Sequence, residues 1–127
     1  MNSTTSLRVG AILAGLAVVL GAFAAHGMKE HHDAAALQTF ETAVRYQMYH
    51  ALALCLCGML GKLGHRTSAA AICFTAGAVL FSGSLFVLVL SGAKWLGAVT
   101  PFGGIAFVIG WALLAWRIGG TPSRPVE

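Results

Sequence analysis

Charge is what this sequence has least of: 9% of its 127 residues are Asp, Glu, Lys or Arg, against about 25% in a soluble globular domain. So little charge cannot coat a water-facing surface, and a soluble globular protein is excluded. Acid is the scarcer sign. There are four Asp and Glu against eight Lys and Arg; Glu127 is the last residue, and Glu30, Asp33 and Glu41 lie in or beside one connection, so no paired-carboxylate site for acid–base chemistry is available. Cysteine is also sparse. Cys55, Cys57 and Cys73 sit inside apolar segments without CxxC spacing, and Cys55 and Cys57 point to nearly opposite sides of a helix. They read as small buried residues, not as a disulfide framework or ligand set. Walker loops, dinucleotide fingerprints and HExxH are absent as well.

What the chain has in abundance is apolar surface: 57% of residues are hydrophobic and the mean hydropathy is +0.80. A helix crosses the hydrocarbon core with about 20 mostly apolar residues, and four windows qualify, at about 7–26, 34–61, 68–91 and 96–117. The expected fold is therefore all-α: one domain over residues 1–127, a four-helix transmembrane bundle with short connections. Arg8 ahead of the first window and Ala22-Phe23-Ala24 near its end imitate a signal peptide. The apolar run is longer than an h-region and more spans follow, so the window reads as a retained helix ending at His26-Gly27. Asp33 is the expected N-cap of the second helix, amphipathic in its first half and apolar in its second. Ala11 and Gly15, and the glycines and serines at 77, 82–84, 103, 104 and 110, are the expected points of close helix contact.

Cations set the orientation. With alternating helices, Arg8, Lys62, Arg66, Arg117 and Arg124 share one side, while Lys29 and Lys94 lie on the other. The positive-inside rule places both chain ends in the cytoplasm, as a multi-pass protein of the inner membrane. Arg45, at the helix end near the outer interface, leaves that majority unchanged. Trp95 and Trp116 fit interfacial anchors, whereas Trp111 lies deeper than an anchor should. The segment Thr121 to Pro125 reads as a disordered tail. The net charge of +4 is scattered singly between apolar runs, so nucleic acid is not an expected partner. The lipid bilayer is, together with a larger membrane complex or further copies of the chain.

Chemistry-bearing residues concentrate in one stretch, Glu41 to His50. Glu41 and Arg45 are spaced i,i+4 in the favourable order, and Tyr46, Gln47 and His50 fall on one helix face. Polar groups at membrane depth are costly unless partnered, so this stripe is expected to face the interior. It serves either as a ligand, proton or cofactor site centred on His50, or as interhelical hydrogen bonding; the latter is the commoner use. His26 sits at the outer end of the first helix. If the second helix enters the bilayer near Thr42, His50 lies about 12 Å deeper than that boundary, too far for one metal to bind both; if Asp33 to Arg45 instead projects from the membrane, the two histidines come level, and the sequence leaves both arrangements open. His31-His32-Asp33 reads as a solvated loop, Ser82 and Ser84 as helix-packing hydroxyls. No cofactor and no metal site is expected.

The segments Gly21-Ala22-Phe23-Ala24-Ala25-His26-Gly27, Thr42-Ala43 through Tyr46-Gln47, His50-Ala51-Leu52-Ala53-Leu54, Leu80-Phe81-Ser82-Gly83-Ser84-Leu85, Thr100-Pro101-Phe102-Gly103-Gly104 and Gly110-Trp111 resemble the YgdD/YwdK-like family. This group of small membrane proteins is catalogued as DUF423 and UPF0382, with eukaryotic relatives in transmembrane protein 256. The resemblance covers nearly the whole chain, departing at Ala24, where glycine is often expected, and at Phe86, where tyrosine is common. It implies four spans and no established activity, substrate or cofactor. Three roles follow in order: an accessory component of a membrane complex or homo-oligomer, a small-solute, proton or lipid carrier using the polar stripe, and a haem, metal or redox subunit using His26 or His50. An enzyme is the least expected.

Overall fold

The computed structural model describes residues 1–123, so Arg124, Pro125 and Glu127 lie outside the described residues. Every regular element among the described residues is helical. α1 covers Ser3–His26 and begins on Asn2, whose side chain accepts from the Thr5 amide at 2.8 Å. At its other end the Gly27 amide donates to Phe23 O, and Met28 tucks between Ala24 and Phe40. α2 covers Ala34–Lys62, capped by Asp33, which accepts from the Ala36 amide at 2.8 Å. α3 runs over Ser68–Ser91 and widens into a π-helical turn at Ala78–Gly83. It ends at Gly92, whose φ of +73° is left-handed and suits a residue without a Cβ. A 3₁₀ turn at Lys94–Ala98 leads into α4, Thr100–Ile118.

Among the described residues three helices are long and apolar enough to cross a membrane: Ser3–His26, Ser68–Ser91 and Lys94–Ile118. α2 is the exception to the four-window expectation. It is the longest helix, at 29 residues, but Gln38, Glu41, Arg45, Gln47 and His50 dilute the part from Ala34 to His50.

Chain direction alternates from helix to helix. Leu13 near the middle of α1 meets Gln47 of α2, while Ser3 at its start lies against Gly58 near the end of α2. The α1–α2 contact is close because Gly10 presents no side chain: a Cβ there would lie 2.7 Å from both Ala51 O and Cys55 Sγ. The Ala11/Gly15 pair suggested by spacing faces outward instead, and a Cβ on Gly15 would meet nothing within 4 Å. α3 and α4 approach closely in the same way at Gly77, Gly103 and Gly110, the last with its Cβ position 2.7 Å from the Phe74 ring. Gly104 and Gly83 have room to spare. Small residues let backbones approach and gain dispersion contacts, the main source of helix association where lipid replaces water.

The two hairpins meet along α2 and α3. Ala53, Leu54, Cys57, Ala70, Ala71, Phe74 and Ala78 are buried there, and Phe107 and Leu114 of α4 close the cluster. The outer surface is apolar: Val79 is 66% exposed and Val108 69%. At one end of the molecule the Met1 nitrogen donates to Ser68 Oγ at 2.7 Å and the Ser123 amide to Gly64 O at 3.1 Å. The start of α1, the α2–α3 connection and the segment after α4 therefore share that end.

Candidate functional site

α2 turns Gln47 and His50 inward, where both are buried, and leaves Glu41 and Arg45 exposed. Gln47 Nε2 donates to Leu13 O of α1 at 2.8 Å. His50 is bound on both ring nitrogens: Nδ1 lies 2.7 Å from Tyr46 O, and Trp111 Nε1 of α4 donates to Nε2 at 3.1 Å. An indole N–H can only donate, so Nε2 accepts and the ring proton belongs on Nδ1, which donates to the Tyr46 carbonyl. The interactions thus fix one neutral tautomer. The imidazole also lies flat on Phe107, with ring centroids 3.4 Å apart and planes inclined by 7°, and Phe74 covers it at 5.6 Å. Tyr46, partly exposed, stacks on Phe81 at 4.7 Å.

The remaining site residues lie elsewhere. Ser84 Oγ, at the end of the π turn, donates to Phe81 O at 3.0 Å and pairs with Thr100 Oγ1 of α4 at 2.7 Å. Ser82 is fully buried and its hydroxyl has no partner among the described residues. His26 is exposed at the end of α1. Since Gln47 is level with Leu13, thirteen residues before His26, the two histidines are separated by about 20 Å along the helix axis or more. They do not converge on one ligand.

Sequence reasoning did not find Phe107, Leu13 or Thr100 as partners. Trp111 carried a signal: a tryptophan at mid-depth, away from the interface, calls for an acceptor for its N–H. Between α2 and α4 the backbones stand apart and are bridged by these side chains, leaving an outward-opening groove of about 830 Å³. Tyr46, Tyr49, Phe81, Ile105, Phe107 and Trp111 are among its lining residues.

Fold and site together define a helical membrane protein whose inward polar groups are largely tied to one another across helices. The chain belongs to the DUF423 family, described as a protein of unknown function, whose model matches residues 20–104. It is similar to the UPF0382 membrane protein YwdK of Bacillus subtilis (strain 168), at 47% identity over 110 residues, covering 84% of this chain and 89% of the relative. The UPF0382 membrane protein SAB0533 of Staphylococcus aureus (strain bovine RF122 / ET3-1) is 44% identical over 107 residues, covering 84% and 88%. The corresponding SSP2132 of Staphylococcus saprophyticus is 40% identical, covering 84% and 89%. No solved structure matches the chain.

Proposed function

We propose that this protein is a non-catalytic accessory component of the bacterial inner membrane, a single four-helix transmembrane bundle with both ends in the cytoplasm that associates with a larger membrane assembly or with its own copies. The observation that carries the reading is the use made of the polar stripe. Gln47 and His50 spend their hydrogen bonds on Leu13, Tyr46 and Trp111. The bonds to Leu13 and Trp111 cross between helices and fix packing in lipid, where an unpartnered polar group is costly. A metal or haem at His50 would have to displace the Trp111 donor from Nε2, and a transport path would have to break the Gln47–Leu13 bond.

Orientation draws on two supports. The meeting of Met1 with Ser68 and of Ser123 with Gly64 groups the start of α1 and the segment after α4 with the α2–α3 connection, and Lys62, Arg66 and Arg117 belong to that same end. Positive-inside bias then favours the cytoplasm for it. α2 crosses with its polar first turns toward the outer interface and its apolar second half in the core. Extraction in a mild detergent followed by native mass spectrometry tests the accessory role: a defined assembly containing this chain is expected. A monomer under every mild condition, from cells expressing it at native level, would contradict it.

A further inference from the structure

The end of the molecule that gathers the start of α1 and the segment from Ile118 to Ser123 also holds a polar hollow of about 570 Å³, in contrast to the apolar groove between α2 and α4. Arg66, Arg117, His65, Thr67, Ser68 and Ser123 are among its lining residues, and no acidic side chain lines it among the described residues. A smaller hollow of about 130 Å³ adjoins it, sharing His65, Arg66, Arg117 and Ser123 and adding Trp116. Two arginines from different elements, one in the α2–α3 connection and one in the last turn of α4, thus line one space. His65 Nδ1 is buried without a partner among the described residues. Thr67, which precedes α3, does not cap the helix; its hydroxyl donates to Cys57 O at 2.7 Å. The first amides of α3 therefore remain uncapped beside Ser68 and Ala69, both of which line the hollow, at the positive end of the helix dipole.

The depth of the hollow points to what fills it. Trp116 lines the smaller, adjoining hollow and is 81% exposed, and tryptophan on the outside of a membrane helix marks the headgroup level. Two arginines, the Ser68 hydroxyl and uncapped amides at that level match a phosphodiester, which offers several acceptor oxygens and one negative charge.

We infer that this hollow holds the phosphodiester headgroup of an anionic phospholipid. The inference rests on the membrane-spanning reading, but not on which end faces the cytoplasm and not on the accessory role. Purified full-length chain, tested without partners, therefore fails or succeeds here independently of that role. The measurement is native mass spectrometry of the chain released from bilayer discs of phosphatidylcholine alone or mixed with phosphatidylglycerol, with a parallel titration by inorganic phosphate followed through Trp116 fluorescence. Wild type retains phosphatidylglycerol over phosphatidylcholine, and Arg66→Gln/Arg117→Gln weakens retention by about tenfold or more, as expected for two surface cations. Lys94→Gln, at the opposite end, leaves retention unchanged, and Arg66→Lys/Arg117→Lys keeps most of it, which separates loss of charge from loss of fold. Equal retention of the two lipids by wild type, or equal retention of phosphatidylglycerol by wild type and the glutamine variant, overturns the inference. Tight binding of inorganic phosphate at these residues with no preference for the anionic lipid overturns the lipid source.

Discussion

His50 joins α2 to α4 through both a hydrogen bond and a ring stack. Trp111→Phe keeps the aromatic packing but removes the donor to Nε2. A loss of about 1 kcal/mol is expected from intramembrane hydrogen-bond energies, read by reversible unfolding in detergent–lipid mixtures, and unchanged stability would mean the bond is idle. Glycines give a second residue-scale contrast. Gly10→Val forces a side chain into Ala51 O and Cys55 Sγ and is expected to lower stability by about 1–3 kcal/mol, as overpacking does. Gly15→Val points into open space and should stay near wild type in the same assay. Sequence spacing favoured Ala11 and Gly15 over Gly10, since small-xxx-small spacing says that a face can pack closely but not which face the partner selects. The polar stripe was legible at Gln47 and His50 for a physical reason: such groups need partners in lipid. Their partners were not, because Leu13 O is a main-chain atom and Phe107 looks like any other apolar residue.

At the scale of elements, helix limits were most legible where a cap marks them, as at Asp33. The π turn of α3 left no mark in the sequence. A π turn closes on i→i+5 bonds, and here Ala78–Gly83 brings Ser84 to Thr100 on α4 while Ser82 stays buried. Such a turn accommodates one extra residue, so deleting Val79, which is exposed, lets the segment close as α-helix with the turns beyond it in register. The Ser84–Thr100 pair and the Phe40–Phe86 contact at 4.9 Å would both be kept. Thermal unfolding of the deletion variant is expected to begin near that of wild type; a transition well below it would show that the π turn holds no spare residue. α2 was the hardest element to read. Its composition falls short of a membrane span, and its place between the other helices is a matter of tertiary contact, not of its own apolarity.

For the whole molecule, class was legible from composition, since a chain so short of charge needs lipid as its solvent, and the surface agrees: large apolar side chains point outward while Ala, Gly and Ser fill much of the interior. The hollow beside Arg66 and Arg117 was not legible, because those residues are 51 positions apart and only folding brings them together. The central claim is that four helices cross the bilayer in alternation, so that the α2–α3 connection and the segment after α4 share one side and the α1–α2 connection the other. Its most direct test is labelling by a membrane-impermeant thiol reagent of single-cysteine variants, with Cys55, Cys57 and Cys73 replaced. Glu30→Cys should label in intact spheroplasts, whereas Arg66→Cys and Ser123→Cys should label only after the membrane is opened. Labelling of Glu30→Cys and Arg66→Cys from the same side would mean that α2 does not cross, and the account would fail.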